Sequence, residues 1–383
     1  MDRFLVRENA QTGPSTHALV IGVGKYPFLN GGDGGRLFQD HAGMGQLTSP
    51  PVSAMAVADW LAHEFDHPDK PLGSISLLVS AEDPVTFPAA DAGAPPTEVA
   101  PATFANVKQA SLDWKKRGDS EPKNMMLFFF CGHGIADGAK LALLTEDYGE
   151  DDDAGLAHAV DFNRFHMGME RCKGRHQCFF VDACRTQDDS LEEAQGYAGD
   201  PILTPTVRRD REAGLRLKPA FFSTLEGTKA HSQKNQPSRF TRALLQSFAG
   251  GGADDLTGQW WVDTNQIQKS VQWLMDRAKR LGFTHTQINP VDSLSTLRLH
   301  RLSGAPQVPV AVSCRPETKN AEAALSYAST AKQGQHDPAP EGWDLELPPD
   351  DYEFAATSSG TIIAEKQQYI RPPHREVDLE VEP

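Results

Sequence analysis

Short apolar runs typical of fully buried strands alternate with helical patterns over about the first 280 residues, and this alternation constrains the fold most strongly. Strands separated by helices predict a parallel sheet that is covered on both faces, which is an α/β fold. The predicted strands cover residues 18–23, 74–80, 125–131, 141–145, 177–181 and 219–224, and the predicted helices cover 51–65, 103–116, 161–171, 238–248 and 265–281.

The sequence pattern changes near Ser303, where short segments of alternating character replace the helical periodicity. Proline, glycine and acidic residues separate these segments, as is typical of small antiparallel β domains. The predicted strands here cover residues 308–312, 343–347, 352–355 and 377–381. We therefore predict an α/β domain over residues 1–303 and a small antiparallel β domain over 304–383.

Composition limits the partners and the compartment. The 383 residues carry a formal charge of −15, which argues against nucleic acid as a main partner and leaves proteins with basic segments. No apolar run approaches the roughly 20 residues of a membrane-spanning helix, and the first residues lack a secretory apolar region. Five cysteines, an odd number, indicate reduced thiols rather than a disulfide scaffold. We predict a cytoplasmic protein that contacts neither membrane nor nucleic acid.

Two of the predicted buried strands end in chemically distinctive residues. One runs into Gly132-His133-Gly134 and another into Asp182-Ala183-Cys184. In a parallel sheet both ends lie on the carboxyl edge, where ligands bind. A thiol becomes a nucleophile when it loses its proton, and a nearby imidazole can accept that proton and later donate it to a leaving amine. The sequence therefore predicts that Cys184 and His133 form a nucleophilic pair.

The glycines beside His133 allow a substrate backbone to approach closely. They also allow the Gly134 amide to point toward a developing oxyanion, with the Cys184 amide as the second donor. We predict that these two amides form an oxyanion hole.

This pair of motifs, with Cys184 located 51 residues after His133, resembles the caspase-like cysteine peptidases, which include caspases, metacaspases and bacterial caspase-homologue proteins. The first strand, ALVIGVGKY, and the later segments FFS at 221–223 and RFTRALL at 239–245 also resemble that group, so the resemblance covers about residues 15–300. It implies a cysteine endopeptidase with Cys184 as nucleophile, His133 as general acid and base, and no obligatory cofactor. The setting that it implies is a bacterial signalling or defence pathway.

The substrate preference follows from Asp182. True caspases carry glutamine two places before the nucleophile, whereas metacaspases and other relatives specific for basic residues carry aspartate. Residues two apart share one face of a strand, so a carboxylate beside Cys184 would favour substrates with Arg or Lys at the cleavage position. The resemblance adds Cys131 and Ser223 to the predicted substrate-binding set. Asp182 could instead cap a following helix.

One departure from the family bears on this preference. Metacaspases usually have an Asn-Asp pair at the start of the first helix, and Val52-Ser53 stands in the corresponding stretch here. The predicted basic preference therefore rests largely on Asp182.

Maturation and metal binding are further expectations. Residues 185–218 form a long polar segment that contains Arg208, Arg209 and Arg211. Caspase relatives are often matured by cleavage in this region, so we predict a zymogen cut there by itself or by an upstream protease. The acidic run at 146–153 is predicted to be a solvated loop, with Ca²⁺ binding as an alternative that lacks EF-hand spacing. No other metal site is predicted.

Two other functions remain compatible with the sequence. A catalytically inactive protein would retain the fold as an interaction module, and a different Cys-His enzyme, such as an acyltransferase, would share the pair. The intact Cys184 and His133 favour an enzyme over the inactive module.

Overall fold

The computed structural model describes residues 3–10, 12–39, 43–90, 93–137, 140–151, 153–183, 186–187, 199–203, 216–223, 235–280 and 296–381. By packing, the chain divides into two compact units, one containing the described residues up to Arg242 and the other those from Ala243 onward. The boundary expected at residue 303 comes from sequence pattern alone and stays a prediction.

The first unit contains twelve described strands and three complete helices. The strands are β1 (Leu5–Glu8), β2 (Thr16–Val23), β3 (Leu72–Ser80), β4 (Thr86–Phe87), β5 (Thr97–Glu98), β6 (Met125–Gly132), β7 (Gly134–Asp137), β8 (Lys140–Leu144), β9 (Ala159–Asp161), β10 (His176–Ala183), β11 (Thr186–Gln187) and β12 (Ala220–Phe222). The helices are α1 (Ser49–His63), α2 (Phe104–Gly118) and α3 (Phe162–Gly168), and a fourth, α4 (Arg239–Gln246), begins in this unit.

Six strands form the central sheet in the order β1-β3-β2-β6-β10-β12. All neighbouring pairs from β3 to β12 are parallel, which confirms the predicted α/β class. The N-terminal edge strand β1 was not predicted and pairs antiparallel with β3.

Two smaller features differ from the sequence-based expectations. The segment predicted as a strand at 141–145 is β8, but it belongs to a separate sheet of order β11-β7-β8-β9. Its partners β7 and β9 both run antiparallel to it. The Pro- and Ala-rich stretch after β3, where neither strand nor helix was predicted, contains the short antiparallel pair of β4 and β5. Strands of two or three residues carry too little periodicity to be identified from sequence.

Helix α1 covers one face of the central sheet near its carboxyl edge. Two prolines, which are favourable in a first helical turn, open it after Thr48. Its first turn lies so close to β2 that a Cβ added at Gly22 would be 2.5 Å from the Pro50 carbonyl oxygen. Gly22 is therefore the residue that allows helix and sheet to approach at this point.

Helix α2 and an aromatic core cover the opposite face. Thr103 caps α2 by accepting a hydrogen bond from the Asn106 amide. Trp114 is fully buried on this helix, and its indole nitrogen donates to the His17 carbonyl at 2.9 Å. Phe128 of β6 and Phe179 of β10 pack against the Trp114 ring, because residues at these positions point away from the α1 face.

Among its described residues, the second unit contains helix α5 (Thr264–Arg280) and ten strands. The strands are β13 (Ala253–Asp254), β14 (Trp261–Asp263), β15 (Arg298–Arg301), β16 (Val308–Arg315), β17 (Ala324–Ala328), β18 (Gln333–His336), β19 (Trp343–Leu347), β20 (Asp351–Ser358), β21 (Thr361–Tyr369) and β22 (Arg375–Glu380).

Two sheets of this unit, β19-β16-β22 and β18-β17-β20-β21, enclose a common apolar core. Val310 and Val377 come from the first sheet, and Phe354 comes from the second. Most of the pairing is antiparallel, as predicted, and all four predicted strands are present. The exception to the predicted antiparallel pairing is the pair of β16 and β22, which run parallel.

Candidate active site

The two strands that carry the predicted catalytic residues are direct neighbours in the central sheet. Strands β6 and β10 pair in parallel, and their register places Gly132 opposite Ala183. These are the residues immediately before His133 and Cys184. Cys184 itself, and with it the second predicted oxyanion donor, lies outside the described residues.

His133 follows β6 as a buried residue that is 8% exposed. Its Nε2 lies 2.7 Å from the Gly45 carbonyl oxygen, and its main-chain amide donates to the Tyr26 hydroxyl at 2.8 Å. A carbonyl oxygen only accepts hydrogen bonds, so Nε2 must carry the proton in this contact. In the neutral ring, the lone pair is then on Nδ1.

The surroundings of His133 favour its neutral form. Burial lowers the pKa of the imidazole below 6.5, and the hydrogen bond to the Gly45 carbonyl opposes that shift only in part. A neutral imidazole with an unprotonated Nδ1 is able to accept a proton from a thiol at neutral pH.

Gly134, the first predicted oxyanion donor, begins β7 and is buried. It pairs with Leu143 of β8, and the preceding His133 carbonyl accepts the Leu144 amide at 3.0 Å. The antiparallel pairing of β7 with β8 thus fixes the main chain on the C-terminal side of the histidine. The oxyanion role of Gly134 stays a prediction.

Asp182 lies at the end of β10, opposite Cys131 of β6, and is 4% exposed. Its Oδ2 atom accepts hydrogen bonds from the Cys131 thiol at 3.3 Å, from the Thr241 hydroxyl at 3.1 Å and from the Ser238 hydroxyl. The Ser223 hydroxyl also bonds the carboxylate. The structure therefore brings together the three residues predicted to bind substrate, Asp182, Cys131 and Ser223.

No cation accompanies this buried carboxylate among the described residues. Every hydrogen bond that it receives comes from an uncharged side chain, and burial raises the pKa of Asp182 although these bonds oppose the shift. A buried carboxylate without a cation is costly, and it becomes favourable when a cation binds beside it. The alternative role of Asp182 as the cap of a following helix concerns the chain after Ala183, which lies mostly outside the described residues, and stays open.

Sequence reasoning missed several residues of this site. Ser238 and Thr241 reach Asp182 from a segment more than 50 residues further along the chain, and the Ser238 amide donates to the Ser53 hydroxyl at 2.9 Å. Ser238 is the first residue of the helix predicted over 238–248, but nothing in the sequence linked it to Asp182. Gly45 and Tyr26 contact His133, and no sequence pattern indicated that they belong to the site.

In the described part of the chain, side chains of the types that bind metal ions lie close together at one place. Asp147, Glu150 and His158 offer ligand atoms within 4.8 Å of one another. The Asp147 carboxylate already accepts the Phe104 amide at the start of α2, and His158 Nδ1 bonds the Asp147 carbonyl. Asp147 and Glu150 lie in the acidic run at 146–153, for which Ca²⁺ binding was the alternative. The hydrogen bonds of Asp147 and His158 give these two residues a structural role within the protein.

Two other expectations concern the chain outside the site. Arg208, Arg209 and Arg211, predicted as processing positions, lie outside the described residues. Within the described ranges, the helices lack the combination of length and apolar character that a membrane crossing requires.

Known proteins that resemble this chain include members of one peptidase family. The family model Peptidase_C14, described as the caspase domain, matches residues 15–300. The curated "Uncharacterized protein y4kE" of Sinorhizobium fredii (strain NBRC 101917 / NGR234) is 26% identical over 289 residues, which are 69% of this chain and 80% of that protein.

The solved structures that are similar to this chain include two caspase structures of low identity. Caspase-1 from Spodoptera frugiperda is 10% identical with a TM-score of 0.40, over 75% of this chain and 89% of that one. A structure of pro-sf-caspase-1 is 11% identical with a TM-score of 0.34, over 77% and 88% of the two chains.

Proposed function

Because the chain belongs to the caspase-domain family, whose members have a peptidase fold, we propose that it is a cysteine endopeptidase that cleaves after Arg or Lys. Cys184 is the nucleophile and His133 the general acid and base. The pairing of Gly132 with Ala183 carries this proposal, because it aligns the ends of the two strands from which these residues follow.

The reaction proceeds through an acyl-enzyme. His133 Nδ1 takes the proton of the Cys184 thiol, and the sulfur attacks the substrate carbonyl carbon. The tetrahedral oxyanion is stabilised by the Gly134 and Cys184 amides. When the C–N bond breaks, the imidazolium returns the proton to the leaving amine, and a thioester remains. Water, deprotonated by the same imidazole, then releases the carboxylate product and the free thiol.

Asp182 provides the preference for a basic residue. Its carboxylate is buried among hydroxyl and thiol groups, so the ammonium or guanidinium of a substrate would supply the missing positive charge. A charge-assisted hydrogen bond in such a buried place is stronger than one between neutral groups. Protein substrates with basic cleavage sites are therefore the proposed partners.

Maturation and setting complete the proposal. Cleavage among Arg208, Arg209 and Arg211, by the protein itself or by an upstream protease, would free the loops that follow Cys184. The proposed setting is cytoplasmic proteolysis in bacterial signalling or defence, since the 26% identical relative comes from a bacterium. Neither Ca²⁺ nor another cofactor takes part in the proposed chemistry.

The proposal predicts a specific covalent adduct. A peptidyl acyloxymethyl ketone with arginine at the cleavage position should alkylate wild-type protein once, as measured by intact mass spectrometry, and the modified peptide should contain Cys184. The Cys184→Ala variant should remain unmodified. Cys314→Ala, which removes a fully buried cysteine of the second unit, should label like wild type.

Other labelling results distinguish the alternatives. Absence of an adduct from wild type, both before and after cleavage near Arg208, would contradict the proposal and favour the inactive interaction module. Labelling of Cys184 by iodoacetamide but not by the peptidyl probe would indicate a different Cys-His enzyme, such as an acyltransferase.

A further inference from the structure

The Gln46 side chain bonds the main chain of Tyr26 at both of its polar groups. Gln46 Oε1 accepts the Tyr26 amide at 2.9 Å, and Gln46 Nε2 donates to the Tyr26 carbonyl at 2.8 Å. The same Nε2 lies 3.2 Å from the Asn30 carbonyl oxygen. One amide side chain therefore connects the segment around Gln46 to the segment that follows β2.

Tyr26 in turn contacts the histidine. Its side chain is fully buried, its ring centroid lies 4.8 Å from that of His133, and its hydroxyl accepts the His133 main-chain amide at 2.8 Å. A Cβ added at Gly132 would come within 2.9 Å of this hydroxyl, so the glycine leaves the room that the tyrosine occupies. Tyr26 thus fixes both the main chain and the ring plane of His133.

Gly45 joins the two ends of this arrangement. It directly precedes Gln46, and its carbonyl oxygen lies 2.7 Å from His133 Nε2. The backbones of Gly45 and Asn30 form an isolated β-bridge. A Cβ added at Gly45 would come within 2.8 Å of the Asn30 carbonyl oxygen. The position of the Gly45 carbonyl therefore depends on the contact that Gln46 makes with Tyr26 and Asn30.

We propose that Gln46 and Tyr26 are positioning residues that hold His133 in the tautomer protonated on Nε2. We call this pair the Gln46–Tyr26 latch. The latch keeps the Gly45 carbonyl against Nε2, which leaves the Nδ1 lone pair for the thiol. The catalytic part of this inference rests on the proposed function, in which Nδ1 receives the Cys184 proton.

The latch depends on the hydrogen-bond donors of the Gln46 side chain. Gln46 offers two amide hydrogens to two carbonyl oxygens, and a carboxylate at this position has no hydrogen to offer them. Gln46→Glu keeps the shape of the side chain and one acceptor contact but sets an oxygen against the carbonyls of Tyr26 and Asn30. The Gly45 carbonyl should then move away from Nε2, and the two tautomers of His133 should become closer in population.

The test uses full-length Gln46→Glu protein. Nitrogen-15 NMR of the histidine rings should show mainly Nε2–H for His133 in wild type and a mixture of tautomers in the variant, with His133→Asn identifying the signal. The kcat for an arginine-terminated peptide should fall about 10- to 100-fold, because small displacements of a catalytic group have effects of this size. KM should stay within about twofold. Gln109→Glu, the same change on the exposed face of α2, should match wild type in both measurements.

Tyr26→Phe provides the second variant in case Gln46→Glu does not fold. It keeps the ring against His133 and removes the acceptor for the His133 amide, so it should also lower kcat without a comparable change in KM. The proposal is overturned if a folded latch variant keeps both the wild-type tautomer and the wild-type kcat. If wild type cleaves no peptide but Gln46→Glu still changes the tautomer, the latch stands and the proposed function fails.

Discussion

His133→Ala is expected to lower kcat for an arginine-terminated peptide by about 100- to 10,000-fold, the usual range for loss of a general acid and base. KM should change little, because the ring lies beside β6 and not in the pocket around Asp182. The rate loss has two sources, since the imidazole both deprotonates the thiol and protonates the leaving amine. Steady-state kinetics on the fluorogenic peptide measures it directly.

The matched control for this prediction is His63→Ala, at the end of α1. His63 is largely exposed and contacts Asp59 on its own helix, so its loss should leave kcat within about twofold of wild type. A His133→Ala enzyme that retained more than a tenth of the wild-type kcat would show that another group performs the proton transfers.

Asp182→Asn is expected to lower kcat/KM for arginine and lysine peptides by about 30- to 5,000-fold, corresponding to about 2–5 kcal/mol for loss of one partner of a buried charge pair. The amide oxygen of asparagine can still accept from Ser238 and Thr241, so the pocket should keep its shape. Kinetics on peptides that differ only at the cleavage residue would reveal the loss. Asp33→Asn, at an exposed ion pair with Lys25, should leave these values unchanged.

The same substitution should have the opposite effect on stability. Burial raises the pKa of Asp182 in the folded protein above 3.8, so the stabilising contribution of this group is fully present below pH 3.8 and is lost as the pH rises through the folded value. At pH 7 the folded protein therefore carries the cost of a buried charge, which asparagine removes. Urea unfolding at pH 7 should give Asp182→Asn a free energy of unfolding equal to or above that of wild type. A clear loss of stability would mean that the carboxylate has a structural role.

Much of the fold could be predicted from the sequence because it depends on local patterns. The runs that became β2, β3, β6 and β10 are rich in apolar residues, and strands of this kind are buried on both faces. Helix α2 begins at Phe104, within one residue of the start of the helix predicted over 103–116. Edge strand β1 and the two-residue strands escaped prediction, because their positions are decided by pairing partners rather than by their own residues.

The candidate site could be predicted only where a strand carried its residues. Parallel neighbours β6 and β10 bring His133 and Asp182 to one edge, so their proximity follows from the fold class. Gly45 contacts His133 through a main-chain carbonyl, and any residue type has such a group. Ser238 and Thr241 contact Asp182 from a distant segment, which no spacing rule could connect to it.

Cleavage of three otherwise identical fluorogenic peptides, ending in arginine, lysine or aspartate, tests the central claim most directly. The proposed Cys184 and His133 pair with Asp182 in its pocket predicts that wild type cleaves after arginine and lysine much faster than after aspartate, and that Cys184→Ala cleaves none of them. Preferential cleavage after aspartate, or cleavage that persists in Cys184→Ala, would contradict it.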